Sequence, residues 1–174
     1  MQHTKNKPNK QGGFVSLELI LAIVAIAIII LAGIVAYGVI MSKIRAGNTV
    51  TLVSEIQTGV SELYASSHDF SDLDTATVIS AGIVGKSDIH GSNIVTPWYS
   101  SNKSSIITVG PGENPSAFAI TIASIPSDAC SKIGTDFLNQ DNVSVTANGT
   151  AVTTPADLAK GCASGNPATL VIGS

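Results

Sequence analysis

The distribution of hydrophobic positions divides the chain into two unlike parts. Residues 19–42 contain no Asp, Glu, Lys, Arg or His. At about 1.5 Å per residue this stretch forms a helix about 36 Å long, which exceeds the hydrocarbon core of about 30 Å. The pattern therefore predicts a membrane-crossing helix over residues 14–42.

Beyond residue 42 the hydrophobic positions become periodic. Leu52, Val53, Ile56 and Val60 fall at helical spacing, and polar residues occupy the other side. We therefore expect one helix of about 50 residues, apolar all round in its first half and amphipathic in its second. The second half should pack on a head formed by the rest of residues 43–174.

Shorter helices are predicted within the head. One should be capped by Asp72 or Asp74 and end near Gly82. Two more should follow Pro126 and Pro155, and these would carry Cys130 and Cys162 respectively.

Strand patterns fill most of the remaining sequence. Asn148 and Gly149 form a strong hairpin signal between two of these strands. The predicted strands cover residues 94–99, 105–109, 117–123, 143–146, 150–153 and 168–172. The expected fold class is α+β, with a small, mainly antiparallel sheet of about four to six strands against the long helix.

Charge around the apolar run predicts its orientation. Lys5, Lys7 and Lys10 precede the run without any acid, whereas only Lys43 and Arg45 follow it closely. This bias favours a cytoplasmic N-terminus and export of everything after about residue 45. An ordinary secretory signal fits poorly, because its apolar core is only about 7–15 residues long.

Residues 14–174 have an acidic balance. Without the three lysines of residues 1–13, six of the nine Lys and Arg residues remain against twelve acids, so the formal charge is 6 − 12 = −6. Nucleic acid is not predicted as a partner, because no cationic groove with interleaved aromatic residues is evident.

Cys130 and Cys162 are the two cysteines of the chain, and both fall in the exported part. An oxidising periplasm would join them in a disulfide. A free buried thiol pair and a metal site are the alternatives. Metal binding is less favoured, because His3, His68 and His90 form no cluster with either cysteine.

The remaining polar motifs do not predict an enzyme. Ser67, His68 and Asp69 are adjacent in sequence, so their side chains would point in different directions. The acidic group that continues with Asp72 and Asp74 lacks the spacing of a calcium loop, which favours turns and helix caps. No catalytic residue, metal or cofactor is expected.

Glu18 is the exception in the apolar run. A charge near the middle of a membrane helix costs roughly 2.5–3.5 kcal/mol, so this carboxylate calls for a partner. It lies shortly after an abrupt junction from polar to apolar sequence at Gly13 and Phe14.

The segment GGFVSLELILAI, with its basic leader, resembles the processing signal of type IV pilin precursors. The resemblance implies that a prepilin peptidase removes residues 1–13 by cutting after Gly13. Phe14 would then be N-methylated, and Glu18 would be the glutamate at the fifth position of the mature chain. The cysteine pair, followed by a final strand, is also similar to pilins.

The subclass that the chain most resembles is type IVb, which includes the pilins of conjugative thin pili and of toxin-coregulated or bundle-forming pili. The short leader and the Ile125-Pro126 pair before the Cys130 helix carry this resemblance. Phe14 departs from it, since phenylalanine is commoner there in type IVa pilins. Val35 argues against type IVa, whose members have proline at that place.

Physical reasoning supplies a role for Glu18. Cleavage after Gly13 creates an ammonium at Phe14, one helical turn from Glu18 and able to reach the Glu18 carboxylate of a neighbouring subunit. Where water is scarce, leaving either charge unpaired is costly. This pair would set the register between helices, and burial of the apolar surface would hold the fibre together.

The sequence hypothesis is therefore the major subunit of a type IVb pilus, a homo-oligomeric helical filament. Implied partners are the prepilin peptidase, an assembly ATPase, an inner-membrane platform and the membrane itself. The precursor would cross the bacterial inner membrane once, and the assembled pilus would be extracellular. The alternatives are a minor pilin or type II secretion pseudopilin and, from another class, a signal-anchored periplasmic enzyme or binding protein.

Overall fold

The structure, a computed structural model, describes residues 14–174. It divides into two compact units with their boundary between Met41 and Ser42. Helix α1 (Phe14–Leu63) contains 50 residues and contributes to both units, as the sequence predicts. The leader residues, including Gly13, lie outside the described residues.

In the first unit, α1 is apolar on all sides. The large apolar side chains described between Leu19 and Ile40 range from 49% exposed at Val24 to 71% exposed at Ile29. Burial of each such side chain is worth about 1.5–3 kcal/mol, so this surface requires an apolar environment. By length and composition, α1 is the one helix in the described chain that could cross a membrane.

The second unit begins with the distal part of α1. Val53, Ile56 and Val60 are fully buried there, while Thr51, Glu55 and Thr58 on the other side are exposed. The predicted amphipathic pattern therefore exists. Three further helices follow along the chain: α2 (Thr75–Ser80), α3 (Ser127–Leu138) and α4 (Pro155–Ala163).

A single seven-stranded antiparallel sheet forms the other layer of this unit. Its order is β1-β2-β3-β4-β7-β5-β6, so the last strand lies between β4 and β5. The strands are β1 (Ile89–His90), β2 (Asn93–Val95), β3 (Ile106–Pro111), β4 (Phe118–Ile125), β5 (Ser144–Ala147), β6 (Thr150–Val152) and β7 (Ala168–Gly173).

The core lies between this sheet and the helices. Strands β4 and β7 alternate inward and outward residues, and their register pairs Ile120 with Ile172 and Ile122 with Leu170, all fully buried. Cross-strand apolar pairs of this kind stabilise a sheet on its covered face. The same core includes Val53, Ile56 and Val60 of α1.

The α+β prediction is confirmed, and its local signals explain several elements. The Asp74 side chain accepts a hydrogen bond of 2.7 Å from the Thr77 backbone N–H and so caps α2. Asn148 and Gly149 have φ values of 47° and 79° and connect β5 to β6. These are the positive values that a tight hairpin turn requires.

Two strand predictions were wrong. The strand expected over residues 94–99 ends at Val95, because Pro97 has no backbone N–H for a ladder and the Tyr99 backbone N–H donates to the Thr96 carbonyl oxygen, which closes a turn. The sheet also has seven strands rather than four to six, because β1 pairs with β2 across a two-residue turn that begins at Gly91.

Candidate assembly site

The predicted assembly signal lies at the start of α1. Glu18 is exposed, and the apolar side chains that the structure describes between Leu19 and Ile40 are exposed as well. Phe14 is the first residue of the helix, four positions before Glu18. On a helix this spacing puts two residues on the same face. The cleavage, methylation and pairing that involve Gly13, Phe14 and Glu18 remain predictions.

The two cysteines form the predicted disulfide. Cys130 of α3 and Cys162 of α4 are fully buried, with their Cα atoms 5.8 Å apart. The bond joins two helices that pack against β5 and β7. Closing this loop is worth about 3–4 kcal/mol in the chain-entropy model. The disulfide thus fixes the C-terminal part of the head.

The Asn148 side chain links several elements of the same region. From the sequence, Asn148 was predicted only as part of a turn. Its side-chain amide donates to the Gly161 carbonyl oxygen at 2.8 Å, and its side-chain oxygen accepts from the Thr169 backbone N–H at 2.8 Å. One side chain therefore links the β5–β6 hairpin to α4 and β7. The Asn-Gly pair was the available signal, but these distant partners have no local signature.

The acidic residues after α1 act in turns and caps. Asp69 accepts hydrogen bonds from the side chain and the backbone N–H of Ser71, and these bonds lower the pKa of Asp69. The bond from the Thr77 backbone N–H likewise lowers the pKa of Asp74. Burial, followed by the nearby carboxylate of Asp72, raises the pKa of Tyr64. The cap and turn interpretation is thus confirmed for Asp69 and Asp74.

Glycine residues in α1 have different surroundings. A Cβ at Gly59 would lie within 3.0 Å of the Ile83 side chain, so this glycine permits a close approach of the loop after α2. At Gly33, Gly38 and Gly47 a Cβ would meet no atom within 4 Å. Of these four glycine residues, Gly59 is therefore the one in a close contact.

This geometry has a counterpart among solved structures. The chain is similar to the crystal structure of a type IVb pilin from Salmonella typhi, with 20% sequence identity and a TM-score of 0.57. The match covers 72% of this chain and 97% of that chain. At this identity the likeness establishes the fold, which is that of type IV pilins.

Sequence comparison then gives the family. A model of the PilS N-terminal family matches residues 43–174, and the chain therefore belongs to this family of type IV pilins. The type IVb resemblance is confirmed. Members are structural subunits, so the chain is a pilin subunit and not an enzyme. No curated protein sequence matches the chain.

Proposed function

We propose that this pilin is the major subunit of a type IVb pilus, processed after Gly13 and polymerised into an extracellular filament. The observation that carries the proposal is a helix whose described apolar side chains are exposed from Leu19 to Ile40, with Glu18 as the one ionisable side chain at its head. Such an apolar surface is compatible with a lipid bilayer before assembly and with a bundle of helices from other subunits after assembly.

Pairing between subunits gives Glu18 its role. Peptidase cleavage creates the ammonium of Phe14, and the incoming subunit places this ammonium beside the Glu18 carboxylate of the subunit already in the fibre. Other staggers leave both charges without a partner in a water-poor bundle, which is strongly unfavourable. The pair therefore selects the register, and the apolar contacts supply most of the attraction.

Assembly requires other proteins. A prepilin peptidase cuts the leader at the cytoplasmic face, and an ATPase acting through an inner-membrane platform extracts the helix from the bilayer. The precursor is a single-pass inner-membrane protein with a cytoplasmic N-terminus. Membership of the pilin family supports these partners.

Mass spectrometry of the native protein tests the processing step. We expect an N-terminus at Phe14 that carries one methyl group. An intact Met1, or a cut anywhere other than after Gly13, contradicts the proposal. Filament abundance separates the roles: a major subunit forms the bulk of the purified pilus, whereas a minor pilin or pseudopilin is present in trace amounts.

A matched pair of variants tests the charge pairing. Glu18→Ala should leave membrane insertion and leader cleavage intact but strongly reduce the yield of filaments. Glu113→Ala, which removes an exposed acid from the β3–β4 loop, should leave the yield unchanged. A wild-type yield from Glu18→Ala would refute the pairing role.

A further inference from the structure

A groove runs along the exposed side of α1 within the second unit. Its volume is about 910 Å³, and the segment Ala81–Ile83 after α2 forms its other wall. The residues that matter for its chemistry are Glu55, Thr58, Gly59, Glu62, Leu63 and Ile83. We call this the α1 groove. It offers an apolar floor beside two carboxylates.

In the part of the chain that the structure describes, no side chain fills the α1 groove, and some of its apolar lining is accessible. Leu63 is 47% exposed, and Ile83 is only partly buried. Glu55 and Glu62 are exposed on the same helix, two turns apart. An occupant that complements the groove therefore needs small apolar groups around a positive charge.

Helix α4 presents such a surface. Leu158, Gly161 and Cys162 form its buried side. The opposite side carries four exposed residues, which we call the α4 patch: Ala156, Ala159, Lys160 and Ala163. This patch has three methyl side chains around one ammonium. The acid of the same helix, Asp157, lies on its flank and accepts a hydrogen bond from Thr154.

The groove wall and the patch lie on different sides of strand β4. Helix α2, which leads into the groove wall, packs on β2 and β3, whereas α4 packs on β5, β6 and β7. In the strand order these two sets of strands stand on either side of β4. A patch on one copy can therefore enter the groove of the next copy and leave its own groove free. A heterologous contact of this kind can repeat from copy to copy without closing, as a fibre requires.

We propose that the α4 patch of one subunit docks in the α1 groove of its neighbour, with Lys160 facing Glu55 and Glu62. This inference rests on the proposed polymerisation and names the head surfaces that perform it. The head, residues 43–174, has six Lys and Arg residues against eleven acids, a formal charge of 6 − 11 = −5, so neighbouring heads repel one another. Pairing the Lys160 ammonium with two carboxylates offsets that repulsion where the heads come closest and fixes their orientation.

Cross-linking of assembled filaments tests the contact directly. The double variant Thr58→Cys/Ala159→Cys, expressed in the full chain, is assembled into pili and treated with a short bis-maleimide. We expect a ladder of dimers, trimers and larger oligomers on a denaturing gel. Each single variant should give no ladder. Dimers from Thr58→Cys alone would show a symmetric contact and overturn the inference.

Charge exchange supplies an independent test. Lys160→Glu should lower filament yield about tenfold, because like charges then face each other across the contact. Adding Glu55→Lys or Glu62→Lys should restore the yield. The matched control is Lys103→Glu, which reverses a lysine outside the patch and should leave the yield unchanged.

The outcomes separate the two proposals. Filaments at wild-type yield from Lys160→Glu, or double-cysteine filaments without a ladder, overturn the docking and leave the proposed function standing. A small molecule or a different protein as the natural occupant of the groove would give the same result. If the wild-type chain forms no filaments with its assembly partners, both proposals fail. Near-ultraviolet circular dichroism verifies that each variant head is folded.

Discussion

A methyl group added at Gly161 of α4 would press against strand β5. An ideal Cβ there lies 2.9 Å from the Ala147 Cβ and 3.4 Å from the Ala147 carbonyl oxygen. Optimal carbon–carbon contacts are about 3.5–4.0 Å. Both residues are buried, and Ala147 has no longer side chain that could rotate away. Gly161→Ala therefore forces either the helix or the strand to shift.

The sign of the effect depends on two opposing contributions. Overpacking a close-packed core lowers the unfolding free energy by about 1–3 kcal/mol, whereas replacing glycine by alanine inside a helix raises it by about 1 kcal/mol. Because the contact at Ala147 is rigid, we expect the upper half of the overpacking range. The net loss in unfolding free energy is then about 1–2 kcal/mol, which corresponds to a fall in Tm of about 2–8 °C.

Thermal unfolding of the full chain in detergent, followed by circular dichroism, measures this difference. Gly47→Ala is the matched control, because Gly47 is an exposed helical glycine whose added Cβ meets no atom within 4 Å. That variant should gain up to about 1 kcal/mol and raise Tm by about 2–4 °C. The same substitution is thus expected to have opposite signs at the two positions.

A double-mutant cycle identifies the contact responsible. If the clash with Ala147 is the cause, Gly161→Ala should cost less in a chain that already carries Ala147→Gly. The reasoning is refuted if Gly161→Ala raises Tm as Gly47→Ala does. It is equally refuted if Gly161→Ala lowers the unfolding free energy by the same amount whether residue 147 is alanine or glycine.

Three further predictions concern the head. Replacing Cys130 and Cys162 together by serine should lower the unfolding free energy by about 3–4 kcal/mol, measured by urea denaturation; an unchanged midpoint would contradict it. Because folding lowers the pKa of Asp74, its carboxylate stabilises the folded state at pH values above its ordinary pKa of about 3.9, and this stabilisation is lost as the pH falls. Asp74→Asn should therefore flatten the dependence of Tm on pH below about 5. Asn148→Ala should cost about 2–4 kcal/mol in urea denaturation, since it strains a φ of 47° and removes the acceptor of the Thr169 amide; a loss below about 1 kcal/mol would refute this.

Local chemistry made much of the fold predictable. The cap at Asp74, the turn at Asn148 and the long helix each depend on neighbours within a few residues, and the structure contains all three. Strand ends were less predictable. Residues 117–123 were expected as a strand, but β4 continues to Ile125 through an irregularity in its pairing with β7, where Ser124 has a φ of 54°. That irregularity depends on pairing with β7, which is distant in sequence.

The candidate assembly site shows the same division. The signal around Glu18 is contiguous in sequence, so it can be recognised without a structure. The α1 groove and the α4 patch combine residues about one hundred positions apart, and only the strand order shows that the groove wall and the patch lie on different sides of strand β4. Their complementarity therefore requires the folded chain, because no local pattern links Glu55 with Lys160.

The central position of β7 has a consequence for the order of folding during export. This strand joins β4 to β5, and it is made more than forty residues after β4. Until Ala168–Gly173 has emerged, the β5–β6 hairpin has no ladder to the rest of the sheet. Under the proposed export, the head therefore closes only once its final strand has crossed the membrane. A chain whose passage stalls earlier would stay an open sheet, which would keep it both transportable and exposed to proteases.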